Sequence, residues 1–118
     1  MWGDNAIPSS SGDAEAPVGW RSSSGNFAAG FYSGGHHYAE AEEDYADGDW
    51  HFVAQVGEED AGYLYMDGEQ ISSTTAGYSY SSNPYFIIGA RTKDSGNEID
   101  DIEYFMGVID EIAIYKVA

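Results

Sequence analysis

The sequence predicts an all-β domain, an antiparallel two-sheet sandwich of the jelly-roll kind. Three observations predict it. Tyr, Ile and Gly are common while Leu occurs once, at Leu64, which is a vocabulary of strands rather than helices. Short apolar runs alternate at period two between clusters of turn residues. The 15 Gly suit many tight turns. At 118 residues the chain is one domain, with a modest core, because small chains bury a smaller share of their surface.

Composition excludes several function classes. Leu, Ile, Val and Phe make up 20 of 118 residues, a level at which high net charge usually means disorder. The 10 Tyr, 5 Phe and 3 Trp outweigh that warning, since aromatic rings supply large buried areas. Asp and Glu number 21 against 4 Lys and Arg, a net charge of -17. That balance argues against nucleic acid and against anionic membrane surfaces, both of which require basic residues. The longest apolar run is too short to span a bilayer, so no membrane insertion is expected. The N-terminus shows no basic start followed by an apolar stretch, hence no visible signal peptide. Without Cys there is neither a disulfide scaffold nor a thiolate metal site. Dense carboxylates with few Lys suit a halophilic protein from a saline source, or simply an acidic extracellular module. Self-repulsion at low ionic strength destabilises either one.

The elements follow in order. Residues 1–16 are polar and Ser-rich, an irregular arm or loop. Residues 17–21, 26–32 and 36–41 are expected strands, with a turn at 33–35. Six acids from Glu40 to Asp49 make a solvated loop, because a helix would set Glu40 against Asp44 at a repelling spacing. Over 50–56, Trp50, Phe52, Ala54 and Val56 share one face. The alternation predicts a half-buried strand with Trp50 in the core and His51 facing outward. An acidic turn at 57–62 leads to a strand at 63–66. Asp67-Gly68 then makes a two-residue hairpin, and 69–75 returns antiparallel. Residues 76–83 form a Ser/Tyr/Gly loop, 85–90 a strand buried on both faces, and 92–103 a polar acidic loop. The chain closes with a strand over 104–117. Phe105, Gly107 and Ile109 have one parity there and Ile112 and Ile114 the other, which calls for a bulge near Asp110-Glu111.

Candidate site residues each have a bland explanation beside the functional one. Trp50 and His51 form an aromatic–imidazole pair, but alternation alone accounts for both. His36 and His37 are adjacent and point to opposite faces of a strand, so they cannot grip one metal together. Three His without Cys weigh against zinc. Tyr78, Tyr80 and Tyr85 flank a Ser-rich turn and, with Trp20, are candidates for stacking on a sugar; ordinary packing competes with that. Asp94, Asn97, Glu98, Asp100, Asp101 and Glu103 cluster within ten residues. Oxygen ligands at loop spacing suit calcium, and a solvated acidic loop is the alternative; Gly96 comes too early for an EF-hand. Asp110 is a structural acceptor at the expected bulge or a ligand of a structural calcium.

Three segments, in order, carry a family pattern. They are Asp47-Gly48-Asp49-Trp50-His51-Phe52-Val53-Ala54, then Leu64-Tyr65-Met66-Asp67-Gly68-Glu69. Last come Ile88-Gly89 and the stretch from Phe105-Met106-Gly107 through Ile109-Asp110-Glu111 to Tyr115. Together they resemble a laminin G-like, concanavalin A-like jelly-roll domain of the type appended to bacterial secreted and surface proteins. The clear match covers about residues 47–117 of a single domain spanning 1–118. The resemblance implies a non-catalytic recognition or adhesion module, extracellular or on the cell surface, that binds glycan or protein with the possible help of calcium. A structural spacer or assembly domain is the alternative. Family domains usually carry further strands ahead of this chain's start, and Trp2-Gly3-Asp4 resembles the end of one. An open sheet edge available for self-association is therefore expected.

Glu98-Ile99-Asp100-Asp101-Ile102-Glu103 also resembles the Glu-x-Asp-x-x-Glu signature of retaining β-glucanases of the same fold. That resemblance would make Glu98 the nucleophile, Asp100 its assisting carboxylate and Glu103 the acid/base. Three features oppose it. The signature follows the Tyr-x-Asp-Gly hairpin instead of preceding it, Asp101 stands where an apolar residue is usual, and only 15 residues follow Glu103. Catalysis is not expected.

Overall fold

The computed structural model describes residues 18–21, 24–32, 35–75, 88–93 and 98–115. Among them are eight strands and no helix. The first three are β1 (Val18–Trp20), β2 (Phe27–Tyr32) and β3 (His36–Glu40). The next three are β4 (Val53–Gly57), β5 (Gly62–Met66) and β6 (Glu69–Thr74). The last two are β7 (Ala90–Lys93) and β8 (Glu98–Tyr104). They form two three-stranded sheets, β1-β2-β3 and β4-β5-β6, and the hairpin β7-β8. Every pairing is antiparallel. The all-β sandwich expected from composition and periodicity is the observed fold.

Period-two alternation builds the core. Phe27, Ala29 and Phe31 of β2 lie on one face, and Leu64 and Met66 of β5 meet them from the other sheet. Ala39 and Ala41 fill the space beside them, while Val18, Trp20, Tyr45, Val53 and Ile71 pack around the edge. Phe31 and Leu64 are the largest fully buried side chains, each stabilising by about 1.5–3 kcal/mol through burial. Gly62 faces Phe31 across the sandwich. A Cβ at that position would fall on the phenyl ring, so only glycine lets the sheets close here. Gln55 adds a polar tie, donating from Nε2 to the Gly30 carbonyl at 2.7 Å.

Two devices set the strand geometry. Asp67 and Gly68 both adopt positive φ, 52° and 88°, as a two-residue hairpin turn requires. In β6 the register passes from Ser72 opposite Leu64 to Gln70 opposite Tyr65. Ile71 is thus the extra residue of a bulge, and the bulge turns it toward the core. In the other sheet, Arg21 just beyond β1 reaches to β3, pairing with Glu40 at 2.7 Å and lying 4.1 Å over the Tyr38 ring.

Four expectations are corrected. The strand that includes 53–57 begins at Val53, and Trp50, Phe52 and Val56 are exposed rather than buried. Val53 packs against the core instead and Gln55 reaches inward, because the stretch holds apolar residues on both parities and His51 is drawn to the inner side. The strand expected at 85–90 falls partly outside the described residues; Ile88 is exposed, and pairing begins at Ala90. The acidic run expected as a loop is largely strand β8. Ile99, Ile102 and Tyr104 give it strand propensity, and Lys93 stands opposite Glu98 in the register. The closing strand at 104–117 does not form among the described residues beyond Tyr104. The break expected at Asp110-Glu111 is present as a left-handed Glu111, φ 52°. The Asp110 carboxylate takes the Glu111 N–H at 2.8 Å, a local bond that competes with ladder formation. The expected loop at 76–83 and the arm at 1–16 lie outside the described residues.

Gly62→Ala is expected to destabilise the chain by about 1–3 kcal/mol, because overpacking must displace Phe31. Gly35→Ala, where a Cβ would meet nothing within 4 Å, should change stability by less than about 0.5 kcal/mol. Urea denaturation of the two variants measures both.

Candidate functional site

The most organised polar cluster among the described residues lies where the loop before β4 meets the turn between β5 and β6. Its position follows from hairpin counting. Val53 pairs with Met66, so the next step of the ladder sets Phe52 opposite Asp67. The Asp67 N–H donates to the Phe52 carbonyl at 2.8 Å. The Phe52 N–H donates to Oδ1 of the Asp67 carboxylate at 2.9 Å. One residue earlier, the half-buried His51 brings Nδ1 to within 2.8 Å of Asp67 Oδ2 and Nε2 to within 3.0 Å of Asp47 Oδ1. Asp47 also receives the Asp49 N–H at 2.9 Å, and Asp44 receives the Ala46 N–H at 2.8 Å. These side-chain bonds give the acidic loop a defined path without a helix or strand. Tyr45 meets the imidazole edge-on, with ring centroids 5.2 Å apart.

The electrostatics follow from the geometry. The hydrogen bond to Asp67, then that to Asp47, raise the His51 pKa above its ordinary value of 6.5. The Asp67 carboxyl is held below its ordinary value first by His51 and then by the Phe52 amide. Asp47 is lowered first by the Asp49 amide and then by His51. Tyr45 is raised by burial, and then by the negative charge of Glu43. Each group favours the ionised state of its partner, an imidazolium between two carboxylates.

On either side of His51 stand Trp50, 69% exposed, and Phe52, 67% exposed. Two large rings in water on a pinned backbone form a candidate contact surface. Periodicity predicted the reverse, with Trp50 inside and His51 outside. In the sequence, Asp47 reads as one acid of a solvated loop and Asp67 only as a turn residue. Two signals were available: the i, i+4 spacing of Asp47 and His51, and the register of the hairpin, which brings position 67 back to position 52.

The other candidates are placed as follows. Tyr78, Tyr80, Tyr85, Asp94 and Asn97 lie outside the described residues. Glu98, Asp100, Asp101 and Glu103 lie along β8. Asp110 is exposed and bonded to the neighbouring amide. Trp20 packs edge-on against Phe27, centroids 4.7 Å apart, and stacks with Phe105 at 6.1 Å. His36 and His37 sit side by side at the start of β3. Among the described residues no group of three His, Cys, Asp or Glu could hold a metal ion.

A laminin G-like family model, described as the concanavalin A-like lectin/glucanases superfamily, matches residues 2–118. Among solved structures, an S-layer domain-containing protein from Clostridium thermocellum is similar, with a TM-score of 0.53 and 21% identity. The likeness covers 95% of this chain and 55% of that one, so the chain spans about half of its length. At that identity the likeness is one of fold. A comparison with curated proteins gave no match.

Replacing His51 with Gln should lower the melting temperature in a pH-dependent way. A raised His51 pKa contributes stability that is fully present below about 6.5 and is lost as pH rises through the folded value. The lowered Asp47 and Asp67 values contribute stability present above about 3.8 and lost as pH falls through their folded values. The gap between wild type and His51→Gln should therefore be widest between about pH 4 and about 6.5 and shrink on either side. Thermal melts across that range check it; a gap independent of pH contradicts the ionic arrangement.

Proposed function

The chain belongs to the laminin G-like family of the concanavalin A-like lectin/glucanases superfamily, and on that footing we propose that it is a non-catalytic recognition module that binds glycan through the Trp50–Phe52 surface. One observation carries the reading: Trp50 and Phe52 are exposed on a backbone stretch that Asp67 fixes in place. A ring face stacks on the apolar face of a pyranose, and neighbouring carboxylate oxygens accept bonds from its hydroxyls. Asp47 and Asp67 supply such oxygens beside the rings. A surface already ordered before binding loses less conformational entropy on binding. We place the module outside the cell or on its surface, the setting that the family resemblance implies.

The non-catalytic part of the proposal rests on the chemistry of the candidate acids. The signature at Glu98–Glu103 lies after the hairpin it should precede, and Asp101 stands where an apolar residue is usual in that signature. At His51, the imidazolium donates from both ring nitrogens to carboxylates, so in that state the ring has no lone pair with which to act as a general base. We propose calcium as an assisting ion of the acidic run 94–101, whose carboxylates are the hard oxygen donors that calcium prefers.

A second reading has its own observation. Met106, Val108, Ile109, Ile112, Ile114 and Tyr115 are all exposed in a single stretch. Such a stretch suits a protein contact, and with it an assembly or spacer role.

A glycan array with the intact chain tests the first reading. Binding is expected, weakened about tenfold or more by Trp50→Ala, a loss of about 1.4 kcal/mol. Silence on the array together with concentration-dependent assembly would favour the second reading. Thermal melts in calcium, in chelator and in calcium-free salt of equal ionic strength test the ion. A rise specific to calcium is expected, because a ligand bound only by the native state stabilises it; an equal rise in both salts means charge screening.

A further inference from the structure

We propose that His51 is a pH-operated latch on the recognition surface: as imidazolium it bridges Asp47 and Asp67 and fixes the Trp50–Phe52 stretch, and on losing its proton it releases the Asp47 side of that stretch. The proposal deepens the reading of Trp50 and Phe52 as the binding surface and rests on it.

The argument is one of donor count. An ionised carboxylate only accepts hydrogen bonds, and an imidazole has two N–H groups only when protonated. Both ring nitrogens face a carboxylate oxygen, at 2.8 Å and 3.0 Å. A neutral ring must therefore set one lone pair against an anionic oxygen. The bond to be lost is the one to Asp47. Asp67 is held independently by the Phe52 amide and by its own N–H on the Phe52 carbonyl, so the Nδ1 side keeps its proton. Asp47 is bound to the rest of its loop only locally among the described residues, through the Asp49 amide.

The surroundings agree on the sign. His51 is faced by Asp47 and Tyr45 from its own loop and by Asp67 from the β5–β6 turn, with the acids Glu43 and Glu69 acting on Tyr45. These groups favour the imidazolium, in keeping with the raised pKa of His51. The latch is closed in mildly acidic solution and opens as pH rises. Closed, it holds Trp50 and Phe52 at fixed positions on either side of the ring. Open, the 47–51 backbone gains freedom, and a ligand resting on both rings must then order it at a cost in affinity.

NMR of the intact chain without any ligand tests the latch, following the His51 imidazole and the Trp50 indole N–H from about pH 5 to about 9. His51 is expected to titrate above its ordinary value, with the Trp50 signal shifting at the same midpoint. Asp47→Asn places an amide that can donate to a neutral Nε2, so the His51 midpoint should fall and the Trp50 shift should shrink. Titration of His51 at or below its ordinary value overturns the proposal, as does a Trp50 signal that stays still while His51 titrates. Since no glycan is present, failure here leaves the array result untouched, and silence on the array removes the ligand without touching the coupling of His51 to Trp50.

Discussion

A single carboxylate, that of Asp67, joins the β5–β6 turn to the end of the acidic loop. Its backbone makes the left-handed step of the β5–β6 turn, a conformation that Asp tolerates better than most residues. Its side chain faces back across the hairpin and takes the Phe52 amide with one oxygen and the His51 ring with the other. Without that grip only the bond from the Asp67 N–H to the Phe52 carbonyl would tie the end of the acidic loop to the hairpin, since β4 begins only at Val53. The turn thus serves as both the closure of one hairpin and the anchor of the preceding loop.

The sandwich beneath supplies the rigidity. Its core is small, with Phe31 and Leu64 as the largest fully buried side chains and Phe27, Met66 and alanines making up the remainder. Close approach of the sheets depends on Gly62 leaving room for the Phe31 ring. Since β5 carries Gly62 at one end and leads into Asp67 at the other, the same five-residue strand links core packing to the residue that holds the Trp50–Phe52 stretch. The excess of acids is tolerated because those whose burial is described are mostly exposed, and because the loop acids take up backbone amides: Asp44 that of Ala46, Asp47 that of Asp49.

The legible part of the structure was local. Asp67-Gly68 announced its own turn, because few other pairs accept two successive positive φ values. β2, β3 and β5 followed from short apolar runs bounded by glycine and serine. The strand at 50–56 was misjudged in parity, since Phe52, Val53, Ala54 and Val56 give both faces apolar residues and periodicity alone cannot choose. What decided it was the capture of His51 by two acids, one of which is sixteen residues away. In the acidic run of β8, charge density suggests a solvated loop, whereas Ile99, Ile102 and Tyr104 give it strand propensity and its backbone pairs with β7. The closing segment carried the right break at Glu111, but a break in alternation does not say whether an edge is available to pair with.

The most direct test of the central claim is native-state amide exchange at Phe52 near pH 6. If Asp67 anchors the loop, the Phe52 amide should exchange as slowly as the ladder amides of β4, although it lies outside the strand, and Asp67→Ala should speed it toward the rate of a free loop. A Phe52 amide that exchanges at the free-loop rate in the wild-type chain would contradict the account, because the surface built on Trp50 and Phe52 would then have no fixed frame.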